Sequence, residues 1–272
     1  MKVLLGDIII KEVENLFIKL NLAPDSLSAV TFKEPDMSGI EAFYASMLDE
    51  NKIIAAQEFR PLCQDTGIAQ LFVKIGSFCK FSGAYTIDEL LNEGVRRAYK
   101  SGKFRKSIVK NPFERVNTGD NTPAVIHVEE VDGNGLTIYG MVKGGGSENV
   151  SSLKMLPPSA GKAGVADFVI DSLKNAGDRG CPPYFLGLGV GGTFDTVALM
   201  AKKALLEECV EDAELAAMIN ERLNELDYGI LGFSGRNGVK KIYIKVAPTH
   251  IATLPAALSI NCHSLRIGKI EL

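Results

Sequence analysis

The sequence predicts an α+β fold: one large domain, or two packed lobes, of mixed helices and strands joined by glycine-rich loops. Three observations lead there. Helical and alternating periodicities both occur, they do not follow one another in regular β-α order, and the stretches between them are rich in Gly, Pro, Asn and Thr. A chain of 272 residues, 46% hydrophobic and 23% charged, can bury a sizeable core. With no low-complexity tract, internal repeat or linker of distinct composition, residues 1–272 read as one domain.

Each element rests on a local pattern. Residues 8–20 and 39–59 carry apolar and charged positions at helical spacing, and Ile68–Ile75 reads as a buried strand. Thr86 and Glu89 have capping-box spacing and open a helix through residues 90–102. Residues 124–131 and 136–143 read as strands, and Asp132-Gly133-Asn134-Gly135 between them predicts a hairpin. Val165, Phe168, Val169 and Leu173 share one helical face; Leu215, Met218, Ile219, Leu223 and Leu226 share another. Residues 239–246 alternate as a half-exposed strand. The loops are 111–124, 143–150, 179–196, 232–238 and 247–264. They hold nearly all the candidate chemistry, because a rigid scaffold can aim functional groups from loops.

Composition excludes several classes. A net charge of −3, a pI near 5.8 and the lack of a basic stripe with interleaved aromatics argue against a nucleic-acid partner. No apolar run reaches the roughly 20 residues of a membrane span. The start, MKVLLGDIII, is broken by Gly6 and Asp7 and lacks a small-residue cleavage site, so no signal peptide is expected. Five widely spaced cysteines, an odd number, suit a reducing compartment in which thiols serve metal, catalysis or packing. The expected location is the cytoplasm.

The sharpest local question is posed by "PLCQDTGIAQLF", residues 61–72, where a thiol, an amide and a carboxylate precede a buried strand. Cys63, Cys181 and Cys262 all lie in loop contexts, whereas Cys79 reads as a strand end and Cys209 as part of a helix. Three loop thiols can converge on one metal centre, or can simply be buried small residues. Gly187–Gly192 matches G-x-G-x-x-G, but CPPYF precedes it and the acids about 20 residues on lie in a helical run, so a dinucleotide fold is poorly supported. These glycines do imply close backbone approach to something, an anion at a helix start among the options. Gly144-Gly145-Gly146 can present consecutive N–H groups to a carboxylate, or can form a tight turn. Among the histidines, His127 alternates within a strand, His263 adjoins Cys262, and His250 is the best placed to meet a ligand. Arg105, beside Lys103 and Lys106, reads locally as a solvated charge.

Taken in order, CQDTG, NTGDNTPA, KGGGSEN, GCPPY followed by GLGVGGT, and PTHIATLPAALSINC resemble the α subunit of class I fumarases and tartrate dehydratases, the iron–sulfur hydro-lyases. The resemblance runs from about residue 8 to the C-terminus. It implies that Cys63, Cys181 and Cys262 hold a [4Fe–4S] cluster whose fourth iron is open, a Lewis acid for a substrate oxygen. By the same resemblance Gln64 and Asp65 lie close to the substrate, Arg105 and Gly144–Gly146 bind it, and His250 is the active-site histidine. Asp65 and His250 are then catalytic and the others bind a 2-hydroxy dicarboxylate. The catalytic base is expected on a separate β subunit, in a dimer of heterodimers, and the isolated chain is expected to be nearly inactive. Two other classes stay open: a dinucleotide-dependent oxidoreductase built on the glycine fingerprint, and a non-catalytic scaffold subunit.

Overall fold

A computed structural model describes residues 2–35, 37–83, 85–233, 235 and 238–272. The elements run β1 (Lys2–Leu5), α1 (Gly6–Leu22), α2 (Asp25–Ser28), α3 (Gly39–Glu58), β2 (Ile68–Gly76), β3 (Cys79–Ser82), α4 (Ile87–Ser101), β4 (Val125–Val131) and β5 (Leu136–Lys143). They continue with α5 (Gly145–Asn149), β6 (Ser152–Leu156), α6 (Gly161–Ala176), β7 (Tyr184–Gly192), α7 (Phe194–Glu207), α8 (Ala213–Arg222), β8 (Val239–Thr249), β9 (Leu254–Asn261) and β10 (Arg266–Glu271). The fold is α+β, as the mixed periodicities predict. Two compact units divide the chain: unit 1 holds Met1–Val30, Glu50–Gly145 and Ser264–Leu272, and unit 2 holds Thr31–Asp49 and Gly146–His263. None of the helices among the described residues is long and apolar enough to cross a membrane.

Unit 1 is built on a four-stranded sheet of order β10-β5-β2-β4, with β1 and β3 as a separate parallel pair. Alternation along the strands sends Leu71, Val73, Ile138 and Val142 to one face. There they meet Ile9, Val13, Phe17 and Leu20 of α1 and Leu91, Val95 and Ala98 of α4 in one core. α4 begins at the expected capping box. The Thr86 N–H donates to Glu89 Oε2 at 2.8 Å, and the Glu89 N–H donates to Thr86 Oγ1 at 3.2 Å.

The expected hairpin is not there. β4 and β5 flank the Asp132–Gly135 turn, but β2 lies between them, parallel to β4 and antiparallel to β5. The turn instead straddles the end of β2: the Gly76 N–H donates to the Gly135 carbonyl at 2.8 Å and the Ser77 N–H to the Val131 carbonyl at 2.9 Å. An Asp-Gly sequence specifies a reversal, whereas the partner of each strand is chosen by the apolar face it must bury.

Unit 2 carries a second four-stranded sheet, β6-β9-β7-β8. Two stretches expected as loops are its central strands. β7 lies within 179–196, and β9, with the end of β8, lies within 247–264. In β7 the alternation is complete. Leu186, Leu188 and Val190 join the core formed with α6 and α8, while Gly187 and Gly189 face α7. A Cβ at Gly187 would stand 2.0 Å from the Ala201 carbonyl oxygen, and one at Gly189 2.4 Å from that of Val197. The fingerprint glycines therefore admit the backbone of α7, and that helix is the close neighbour they imply. Gly187→Ala is expected to lower stability by about 1–3 kcal/mol or more through overpacking, read as a lower denaturant midpoint. An unchanged midpoint would show that α7 can move aside.

Smaller corrections follow the same logic. α8 ends at Arg222, so Leu223 and Leu226 of the expected helical face sit in and just after a 3₁₀ turn. α7 ends at Glu207, with Glu208 in the left-handed region, so Cys209 lies beyond the helix. Cys79 opens β3. Residues 111–124 stay irregular, and within 232–238 Ser234, Arg236 and Asn237 lie outside the described residues.

Candidate active site

The residues that the sequence singles out divide between the two units, and in unit 2 His250 lies at the opposite end of β9 from Cys262. Cys63, Gln64, Asp65, Arg105, Gly144 and Gly145 belong to unit 1; Gly146, Cys181, His250 and Cys262 belong to unit 2.

In unit 1 the turn at residues 61–67 delivers the chain into β2. Its entry is fixed at Leu62, whose N–H donates to the Asn21 carbonyl at 2.8 Å and whose carbonyl accepts from Asn51 Nδ2 at 3.0 Å. Cys63 follows half-buried and Gln64 exposed. Asp65 is held at three atoms. Its Oδ1 accepts from the Gly67 N–H at 3.0 Å, its Oδ2 from the Gly145 N–H at 2.8 Å, and its carbonyl from Arg266 Nη1 at 2.9 Å. The Gly145 bond joins two motifs 80 positions apart. Gly144 makes it possible: a Cβ there would stand 3.1 Å from Asp65 Oδ2.

Gly67 must be glycine. Its φ is +59°, and a Cβ would stand 2.5 Å from the Lys143 carbonyl oxygen. The rest of the turn is pinned from beneath. Tyr99 on α4 donates its hydroxyl to the Thr66 carbonyl, and burial pushes the Tyr99 phenol up to about 12. Thr66 Oγ1 donates to the Arg105 carbonyl at 2.6 Å, so the backbone of Arg105 is fixed to the turn while its side chain stays exposed. Asn121, fully buried, donates to the Gly67 carbonyl at 3.2 Å and accepts from the Ser107 N–H at 2.6 Å.

Unit 2 brings Cys181 and Cys262 to neighbouring segments. Cys181 is exposed, in the left-handed region at φ +59°, and precedes the cis peptide between Pro182 and Pro183. Its carbonyl accepts from the backbone N–H of His263, the residue after Cys262, at 3.2 Å. Beside this turn the Tyr184 hydroxyl donates to the Gly177 carbonyl at 2.7 Å and accepts from the Gly180 N–H at 3.0 Å, and burial pushes the phenol up to about 12. A Cβ at Gly146 would stand 3.2 Å from the Arg179 carbonyl oxygen, two residues before Cys181.

His250 forms an exposed turn between β8 and β9. Its Nδ1 accepts from the Ala252 N–H at 3.1 Å and its carbonyl accepts from the Thr253 N–H at 2.9 Å. A ring nitrogen that accepts from an amide carries no proton, so in the neutral ring the hydrogen is on Nε2, pointing away from the turn as a donor. His127 packs against Phe72 within its sheet, with ring centroids 5.0 Å apart.

None of the five cysteines forms a disulfide. Among the described residues, no group of three or more His, Cys, Asp and Glu side chains is arranged to hold a lone metal ion. Residues 11–271 match the profile of the family described as Fumarate hydratase (Fumerase). The chain belongs to the fumarate hydratase family. Among the curated members of related sequence, a Methanocaldococcus jannaschii protein provisionally named L(+)-tartrate dehydratase subunit alpha is 38% identical over 236 residues, 82% of each chain. The L(+)-tartrate dehydratase subunit alpha of Escherichia coli K12 is 31% identical over 258 residues, 90% of this chain and 83% of its own. That of Escherichia coli O157:H7 is 32% identical over 256 residues, 90% and 83% respectively.

Three supporting residues were not singled out from the sequence: Asn21, Tyr99 and Arg266. Asn21 had a readable signal, a polar side chain between Leu20 and Leu22 at the end of an apolar helix stripe. Arg266 had none, since its surroundings come from α1 and the 61–67 turn, both distant in sequence.

Proposed function

We propose that this chain is the α subunit of an iron–sulfur hydro-lyase that reversibly dehydrates a 2-hydroxy dicarboxylate, malate to fumarate or L-tartrate to oxaloacetate. It acts as one functional domain, 1–272, in a cytoplasmic complex with a β subunit, most simply a dimer of heterodimers. The observation that carries this reading is the anchored Cys63-Gln64-Asp65 turn, locked to the Gly144-Gly145 backbone in a member of the fumarate hydratase family. A β partner is supported by the relatives' names, which designate an alpha subunit.

The donor chemistry of Cys63, Cys181 and Cys262 fits a [4Fe–4S] cluster. All three are thiols on non-helical turns, not engaged in disulfides, and soft thiolate is the ligand such clusters take. When bound, a cluster with three cysteine ligands supplies an open iron, a Lewis acid for the hydroxyl that leaves.

The protein's own groups do the rest. Gln64, exposed beside Cys63, offers an amide to a substrate carboxylate or hydroxyl. Asp65, whose two oxygens each already accept a backbone N–H, is fixed in orientation; in hydration it accepts a proton from the incoming water, and in dehydration it returns that proton to the leaving hydroxyl. Arg105 offers a bidentate fork to the carboxylates, and the glycines at 144–146 let the backbone approach them closely, with the Gly145 N–H already held by Asp65. His250 is assigned as a donor to a carboxylate oxygen on the family resemblance alone, its turn lying at the opposite end of β9 from Cys262. Dehydration breaks the C3–H and C2–OH bonds: a base takes the C3 proton, the electron pair forms the double bond, and the hydroxyl leaves to become water. That base is assigned to the β subunit.

Co-expressed α/β complex, purified without oxygen, is expected to dehydrate malate or tartrate, and this chain alone is expected not to. Full turnover by the chain alone would remove the partner from the account. A complex that binds nicotinamide dinucleotide and dehydrates neither acid would favour the oxidoreductase. One that keeps its activity when Cys63 or His250 is replaced would make this chain a scaffold.

A further inference from the structure

Arg266, the first residue of β10, is 1% exposed and is the largest fully buried side chain among the described residues. Such a cation needs partners, and the ones it has are informative. Nη1 donates both to the Asp65 carbonyl at 2.9 Å and to Asn21 Oδ1 at 3.2 Å. Nη2 stands over Gly144, 3.6 Å from where a Cβ there would be. Nε is buried and has no hydrogen-bond partner among the described residues. Asn21 is itself fully buried, tied to the Phe17 carbonyl at 2.9 Å, and its own carbonyl receives the Leu62 N–H.

A guanidinium selected for core stability alone would satisfy all its donors, or would be replaced by an apolar side chain of similar volume. This one leaves Nε unsatisfied while reaching the backbone of the residue that carries the candidate catalytic carboxylate. We propose that Arg266 is a positioning residue for Asp65. It holds the Asp65 carbonyl against the end of α1, and so sets the direction in which the Asp65 carboxylate leaves the turn. The Gly67 and Gly145 N–H groups then clamp the carboxylate itself. Removing Arg266 leaves the two clamps in place but frees the backbone they hang from. The role rests on the hydro-lyase reading, because positioning matters only if Asp65 meets a substrate.

The test uses the α/β complex after anaerobic reconstitution. Arg266→Met and Arg266→Lys are compared with wild type in iron and sulfide content, in kcat and KM for the acid that wild type dehydrates, and in amide hydrogen exchange. Arg266→Met is expected to keep its iron and lose about 10²-fold in kcat, the scale of a misplacement of about 1 Å. KM should change by less than about threefold, and exchange should quicken at Gly67 and Gly145 above the rest of unit 1. Arg266→Lys should recover part of kcat, since one ammonium can reach the Asp65 carbonyl without reproducing the fork. If the methionine variant does not assemble, the lysine variant carries the test through the same local exchange and a smaller loss of kcat.

Unchanged kcat and exchange would overturn the proposal. So would a raised KM at constant kcat, which would make Arg266 a direct substrate ligand, and so would faster exchange spread evenly over unit 1, which would make it structural. A wild-type complex that dehydrates neither acid is a failure of the hydro-lyase reading. Exchange at Gly67 and Gly145 would then still report whether Arg266 holds the turn.

Discussion

Asp65→Asn is expected to lower kcat of the α/β complex on the order of 10²–10⁴-fold, the range for loss of a positioned proton-handling group. The substitution is nearly isosteric, yet this site cannot accept it quietly. Both carboxylate oxygens receive backbone donors, Oδ1 from Gly67 and Oδ2 from Gly145. An amide presents one oxygen and one NH₂, so in either orientation a donor faces a donor. The strained end must let go, and the bond between the 61–67 turn and the 144–145 backbone is the one that spans 80 residues. The Gly145 N–H is exposed and can turn to water, so the added loss of stability is that of an ordinary hydrogen bond, about 0.5–1.5 kcal/mol. Steady-state kinetics with iron content as a control would check this. Wild-type kcat in Asp65→Asn would show that the carboxylate handles no proton and serves only to fold the turn.

Much of the fold was legible where one element has one exposed face. α1, α3 and α4 announce themselves by helical stripes, and the Thr86–Glu89 box marks where α4 begins. β2 is a plain apolar run before the first glycine of its exit. Legibility failed where burial on both faces erases the pattern. β9, buried along almost its whole length between β6 and β7, reads as PAALSIN with a proline near its start, so it passed for a loop. β7 alternates faithfully, but its second face is glycine, and glycine in a sequence points to turns rather than to a helix pressed against a strand. The hairpin error has a different cause. The Asp132–Gly135 turn is local information, whereas the insertion of β2 between β4 and β5 is a long-range choice.

The site divides along the same line. Groups expected to meet a ligand sit in stretches that read as loops with compositions too expensive to be idle, which singles out Cys63, Asp65, Gly144–Gly146 and His250, although Gly145 and Gly146 open the short helix α5. Arg105 is not among them: its local sequence is that of a solvated charge, and only the family resemblance lifted it. The structure adds that Thr66 ties the Arg105 backbone to the turn. The groups that hold these residues in place, Asn21, Tyr99 and Arg266, are buried polar side chains whose purpose appears only once three distant segments are folded together.

The largest expected effect belongs to the cysteines. Each of Cys63→Ala, Cys181→Ala and Cys262→Ala removes one of three thiolates, and a cluster held by only two is expected to fall apart rather than weaken. Cys79→Ala and Cys209→Ala serve as controls. Cys79 begins an edge strand, and the Cys209 thiol, its pKa raised by burial, lies 3.7 Å from the Ile244 carbonyl oxygen. Dehydration should vanish in the first three variants and persist in the two controls.

The most direct measurement is iron and acid-labile sulfide per α chain, taken on anaerobically reconstituted α/β complex of the wild type and these five variants. The account expects about four of each in wild type and both controls, and a collapse of both in Cys63→Ala, Cys181→Ala and Cys262→Ala. A wild-type complex without iron, or one whose iron survives all three substitutions, would contradict it.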